Sequence, residues 1–130
     1  MRKGSSLKFA VYNNALMSVQ SGKTFLEAMS DRVFLGRLIE SSVGAHLLNG
    51  TRGTQIELFY WREGDKEVDF VLRLGNKMIA IEVKSGQEFI QHSGIDSFVK
   101  QFNPDRILLV GDQGISLKAF LLTPPHSLFE

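Results

Sequence analysis

The sequence predicts an α/β sandwich, a mixed β-sheet with helices on its faces. Three observations predict it. Residues 31–49 carry small and apolar side chains at helical spacing. Residues 55–62, 67–74 and 77–84 are runs of strand character separated by short turns, which gives an antiparallel meander. Residues 95–102 form an amphipathic helical stretch, followed by the short apolar strand 106–111. A strand, a helix and a further strand imply a right-handed crossover and parallel pairing. Helix, meander, helix and strand together make a mixed sheet covered by helices.

Taken in order, residues 1–6 are short and basic and are expected to fray. Residues 7–12 suggest a short strand, Asn13-Asn14 a turn, and residues 15–19 a helical turn. Ser21-Gly22-Lys23-Thr24 looks like the tail of a phosphate-binding loop, but the required upstream glycine position holds Met17 and no strand leads into it. Thr24 and Glu27 instead have the spacing of a capping box that opens a short helix.

The helix at 31–49 is expected to be capped by Asp31 and ended by Asn49-Gly50. Val33, Gly36, Glu40, Val43, Gly44 and Leu47 fall on one of its faces. Glycine costs helix stability, so two of them on that face suggest close approach to another element. The same face would carry Glu40 toward the end of the sheet; the alternative places Glu40 at its solvated rim. Residues 55–62 have apolar residues on both faces, as a doubly covered strand does. Trp61 and Tyr60 are expected in the core. The helix at 95–102 shows Ile95, Phe98, Val99 and Phe102 on one side and ends at Asn103-Pro104. Residues 115–122 fit a strand or a short helix equally well. His46, His92 and His126 lack partners at metal-ligand spacing and are read as non-ligands.

Composition bounds the rest. A chain of 130 residues with 43% hydrophobic and 22% charged residues is a single domain able to bury its own core. It has no cysteine, which excludes disulfides and thiolate metal sites and suits a reducing, cytoplasmic setting. No apolar run reaches the length of a membrane span, and the N-terminus lacks the apolar core of a signal peptide. A net charge of +1 gives no global field for nucleic acid, so any such binding must use a local patch.

The central hairpin carries the chemistry. With Gly75-Asn76 as its loop, Leu74 faces Lys77, Asp69 faces Glu82 and Glu67 faces Lys84. Two carboxylates directly opposite on a sheet repel. A divalent cation such as Mg²⁺ between Asp69 and Glu82 removes that conflict, with Lys84 beside the ion on the same face. The competing reading makes Glu67 and Lys84 a cross-strand ion pair and leaves Asp69 and Glu82 in solvent.

Asp69 followed by Glu82-Val83-Lys84 resembles the PD-(D/E)xK nuclease superfamily, whose restriction-endonuclease-like fold has the same core order. Three longer stretches, residues 36–48, Phe59-Tyr60-Trp61-Arg62 with Glu67-Val68-Asp69-Phe70, and Ile81 to Gly86, together resemble the domain-of-unknown-function family 4143. The lead-in at 7–16 is similar as well. The resemblance implies that the chain is the C-terminal part of a longer protein whose N-terminal part is an AAA+-type ATPase. It further implies a Mg²⁺- or Mn²⁺-dependent phosphodiesterase acting on DNA, with RNA as a second choice. Asp69 and Glu82 would hold the ion, with the Val83 carbonyl and Glu40 as further ligands, and Lys84 would act on the attacking water. A catalytically silent domain that binds DNA, or docks a partner, for the ATPase is the alternative.

Overall fold

The computed structural model describes residues 2–3, 32–84 and 94–130. The expectations for residues 7–27, the Asp31 cap, the break after Lys84 and His92 lie outside them. The described elements are β1 (Arg2–Lys3), α1 (Arg32–Thr51), β2 (Glu57–Glu63), β3 (Lys66–Leu74), β4 (Lys77–Lys84), α2 (Ile95–Phe102), β5 (Arg106–Gly111), α3 (Leu117–Leu121) and a 3₁₀ turn (Pro125–Phe129). The sheet has the order β1-β2-β3-β4-β5. The pairs from β1 to β4 are antiparallel and β4–β5 is parallel, which makes the sheet mixed, as expected.

Two apolar clusters lie on opposite sides of the sheet. The larger joins Val43 and Leu47 of α1, Phe70 and Leu72 of β3, Ile79 and Ile81 of β4, Val110 of β5 and Phe120 of α3. The smaller joins Phe59 and Trp61 of β2, Val68 and Val71 of β3, Ala80 of β4 and Phe98 of α2. Trp61 is therefore a core residue, and its ring meets Phe98 edge-on with centroids 5.6 Å apart. The α2 helix stops where expected: Asn103 adopts the left-handed conformation (φ 49°) and donates its N–H to the Val99 carbonyl.

The turns set the register. Gly75 has φ 61° and Gly64 has φ 64°, conformations that glycine adopts without a Cβ penalty. Two-residue loops follow, with Leu74 opposite Lys77 and Glu63 opposite Lys66.

Four expectations are corrected or settled. Arg2 and Lys3 do not fray but pair with Tyr60 and Phe59 at the sheet edge. The α1 helix runs past Asn49-Gly50 to Thr51, whose hydroxyl donates to the Leu47 carbonyl at 2.8 Å. Gly50 serves close packing there, since a Cβ would stand 2.5 Å from the Pro125 ring. Residues 115–122 resolve into Ile115, which bridges to Val110, and α3, whose cap Ser116 accepts the Ala119 N–H.

The fourth concerns β3. Phe59 pairs with Val71 and Trp61 with Val68, so Asp69 and Phe70 together oppose Tyr60. This is a β-bulge, an extra residue that bends the strand and re-aims its side chains. Strict alternation predicted Val68 on the face of Phe70, Leu72 and Leu74; the bulge moves Val68 into the opposite cluster.

Candidate carboxylate site at the end of the central hairpin

The site lies where β3 and β4 part. Their ladder runs from Leu74–Lys77 to Phe70–Ile81. Beyond it the bulge draws the β3 backbone aside, and the Asp69 side chain spans the gap. Asp69 Oδ2 accepts the Val83 N–H at 2.7 Å. The Asp69 carboxyl also lies against that of Glu82, close enough for the two to interact. Glu82 is only 7% exposed.

This environment raises the pKa of Asp69. Loss of water on burial is the largest cause, the hydrogen bond to Glu82 the next and the Glu82 charge the third; the Val83 N–H opposes them, and Glu67 adds a small rise.

Glu40 approaches from α1. Gly44, one turn later on the same helix, makes the approach close: a Cβ there would stand 3.2 Å from the Phe70 ring. Glu40 keeps an exposed side. Partial loss of water, then the charges of Asp69 and Glu67, push its pKa up from 4.5 to about 7. The expected role of Gly44 in a close approach is thus met, and Glu40 lies within the electrostatic reach of Asp69.

Glu67 was expected to face Lys84 across the hairpin. Instead it pairs in register with Arg62 of β2, and its carbonyl accepts the Gly94 N–H at 2.9 Å ahead of α2. The bulge is the cause, because it ends the β3–β4 pairing before Glu67. By alternation from Val68, Glu67 belongs to the α1 side of the sheet, which fits its effect on Glu40. No Glu67–Lys84 ion pair exists among the described residues. Lys84 is half-buried, follows Glu82 by two residues on the same strand face, and its ammonium has no hydrogen-bond partner among the described residues. Gly111 lets β5 run tightly beside it: a Cβ there would stand 2.1 Å from the Lys84 carbonyl. Val83 enters the site through its N–H.

Sequence reasoning missed the bulge and the contribution of Glu67. His46 lies against α3: its Nε2–H donates to the Thr123 carbonyl at 2.7 Å, and the ring packs edge-on against Phe120.

One consequence is measurable without knowing the function. The native chain holds protons that the unfolded chain releases near pH 4.5, so this contribution is full below that pH and is lost as pH rises through about 7. Solvent on the exposed side of Glu40 reduces its size. Urea midpoints in chelator should therefore fall between pH 5 and pH 8. Glu40→Gln should flatten the part of the slope between pH 5 and 7; an unchanged slope would contradict the assignment.

A mixed sheet with helices on both faces, carrying paired carboxylates at the split end of a hairpin, defines an α/β domain with an acidic site. The chain belongs to the family described as Domain of unknown function (DUF4143), whose model matches residues 35–121. That span runs from the second residue after Val33 on α1 to the end of α3 and includes all of the candidate site. No curated protein matches the chain, and no solved structure matches it. No helix among the described residues is long and apolar enough to cross a membrane.

Proposed function

We propose that this domain is a metal-dependent nuclease that cleaves DNA phosphodiester bonds, with RNA the less favoured substrate. The observation that carries the reading is the contact between two carboxyl groups, Asp69 and Glu82, one of them 7% exposed. Holding them together costs stability unless a positive species lies between them. The raised pKa of Asp69, which comes from burial and from Glu82, reflects that cost.

The donor set suits Mg²⁺ or Mn²⁺. Among the described residues no three His, Cys, Asp or Glu side chains form a ready-made cage. Mg²⁺ does not need one: it keeps several waters and takes one or two carboxylates plus phosphate oxygens from the substrate. Asp69 and Glu82 would hold the ion, and the Val83 carbonyl and Glu40 are the further candidates. The bound ion would polarise the phosphate and lower the pKa of its water. Lys84 stands beside Glu82 to orient that water and balance charge on the pentacovalent phosphorus. Glu40 keeps the mouth of the site acidic and can take up the proton that the water loses. The resemblance to ATPase-linked proteins suggests that an AAA+-type ATPase segment delivers the DNA.

A second reading, a silent DNA-binding or docking domain, is favoured by one observation: Asp69 Oδ2 is already engaged by the Val83 N–H. Cleavage separates the two. Single-stranded, double-stranded and branched DNA incubated with the chain and Mn²⁺ should be cut, and chelator should stop the cutting. Mn²⁺ binding with no cleavage of any of these substrates would favour the silent domain.

A further inference from the structure

On α1, residues seven apart lie on nearly the same line, about 20° from each other. Arg37 therefore shares the line of Gly44, which packs on the Phe70 ring. A residue on that line should be covered by the sheet, yet Arg37 is exposed. The reason is position along the axis. Seven residues at 1.5 Å each carry Arg37 about 10 Å beyond Gly44. Glu40, between the two, is the residue of the helix on which the charges of Asp69 and Glu67 act. Arg37 thus lies about one turn beyond Glu40, exposed, on the same side of the helix as the residue that Asp69 and Glu67 act on.

Its chemistry is also unspent. Arg37 is three residues from Glu40, a spacing that allows an ion pair on a helix. It makes neither an ion pair nor a hydrogen bond to any described residue. Arginine presents a planar fork of donors that matches phosphate oxygens in a two-point contact. In a chain with a net charge of only +1, a local cation at this position is what a polyanion needs beside a carboxylate-lined centre.

We propose that Arg37 is a second phosphate-binding group of the site, gripping the backbone phosphate next to the one held at Asp69 and Glu82. This rests on the nuclease reading. Arg37 is a positioning residue here: it fixes the strand, and the reacting phosphate is placed through it.

The test compares wild type with Arg37→Gln and Arg37→Lys for binding of fluorescein-labelled DNA, measured by anisotropy across salt concentrations. Ca²⁺ replaces Mg²⁺ as a hard oxygen-seeking ion. For duplex DNA, losing one phosphate contact shrinks the slope of log affinity against log salt by about 0.9. Arg37→Gln should show that change with affinity weakened about 3- to 10-fold near 0.1 M salt, and Arg37→Lys should restore the slope but not all of the affinity. The thermal midpoint should stay put, since an exposed side chain with no described partner is being changed. An unchanged slope in Arg37→Gln, with wild type binding DNA normally, overturns the inference and leaves the nuclease reading standing. Failure of wild type to bind any DNA overturns both.

Discussion

Glu82→Ala should lose DNA cleavage by about 10³-fold or more, and Lys84→Ala by about 10²–10³-fold, with both variants folded. The two losses have different origins. Glu82 is buried and lies against the half-buried Asp69 carboxyl, so its removal takes away half of the proposed ion seat. It also relieves the crowding of charge on Asp69, so the fold should be no less stable without metal. Lys84 is half-buried and has no hydrogen-bond partner among the described residues, so its removal leaves no internal acceptor stranded. Lys84→Ala should therefore still bind Mn²⁺ while failing to cut. Paired activity and Mn²⁺-binding assays on the same preparations check this. Undiminished cleavage by both purified variants would remove these residues from the mechanism.

The largest effect on stability is expected at Phe70. It is 1% exposed, lies in the larger core cluster, and its ring is the surface against which Gly44 of α1 rests. It is also one of the two residues in the bulge. Phe70→Ala should cost about 3–5 kcal/mol, through lost burial and the cavity left behind. That is a large part of the roughly 5–15 kcal/mol that holds a domain folded. Ile107→Ala, at a position 48% exposed, should change stability by under about 1 kcal/mol. Chemical denaturation of both variants measures the difference. Comparable losses at the two positions would mean that Phe70 is not the anchor between α1 and β3.

The parts of the fold that were legible are those set by local chemistry. Gly75 requires a tight turn, the turn fixes Leu74 opposite Lys77, and counting back gives the ladder as far as Phe70 opposite Ile81, one residue short of Asp69 and Glu82. Glycine on the inner face of α1 signalled close approach, and Gly44 against Phe70 is that approach. What was not legible depends on distant neighbours. Asn49-Gly50 has the chemistry of a helix stop, but Pro125, far along the chain, packs on Gly50 while the helix continues. The bulge has no marker, because Asp69 and Phe70 each suit an alternating strand. It nevertheless decides the site: it ends the hairpin ladder, turns Asp69 onto the Val83 N–H and gives Glu67 to the α1 side. Residues 115–122 stayed open in sequence because the same apolar spacing serves either structure, and the Ser116 cap settles it.

The most direct test of the account is Mn²⁺ titration by calorimetry of wild type against Glu82→Ala, at a pH near 7. The account predicts a single site in wild type, with protons released as the ion displaces the proton that the raised pKa of Asp69 lets it keep, and no such binding in the variant. Equal binding by both proteins, or none by wild type, would contradict it.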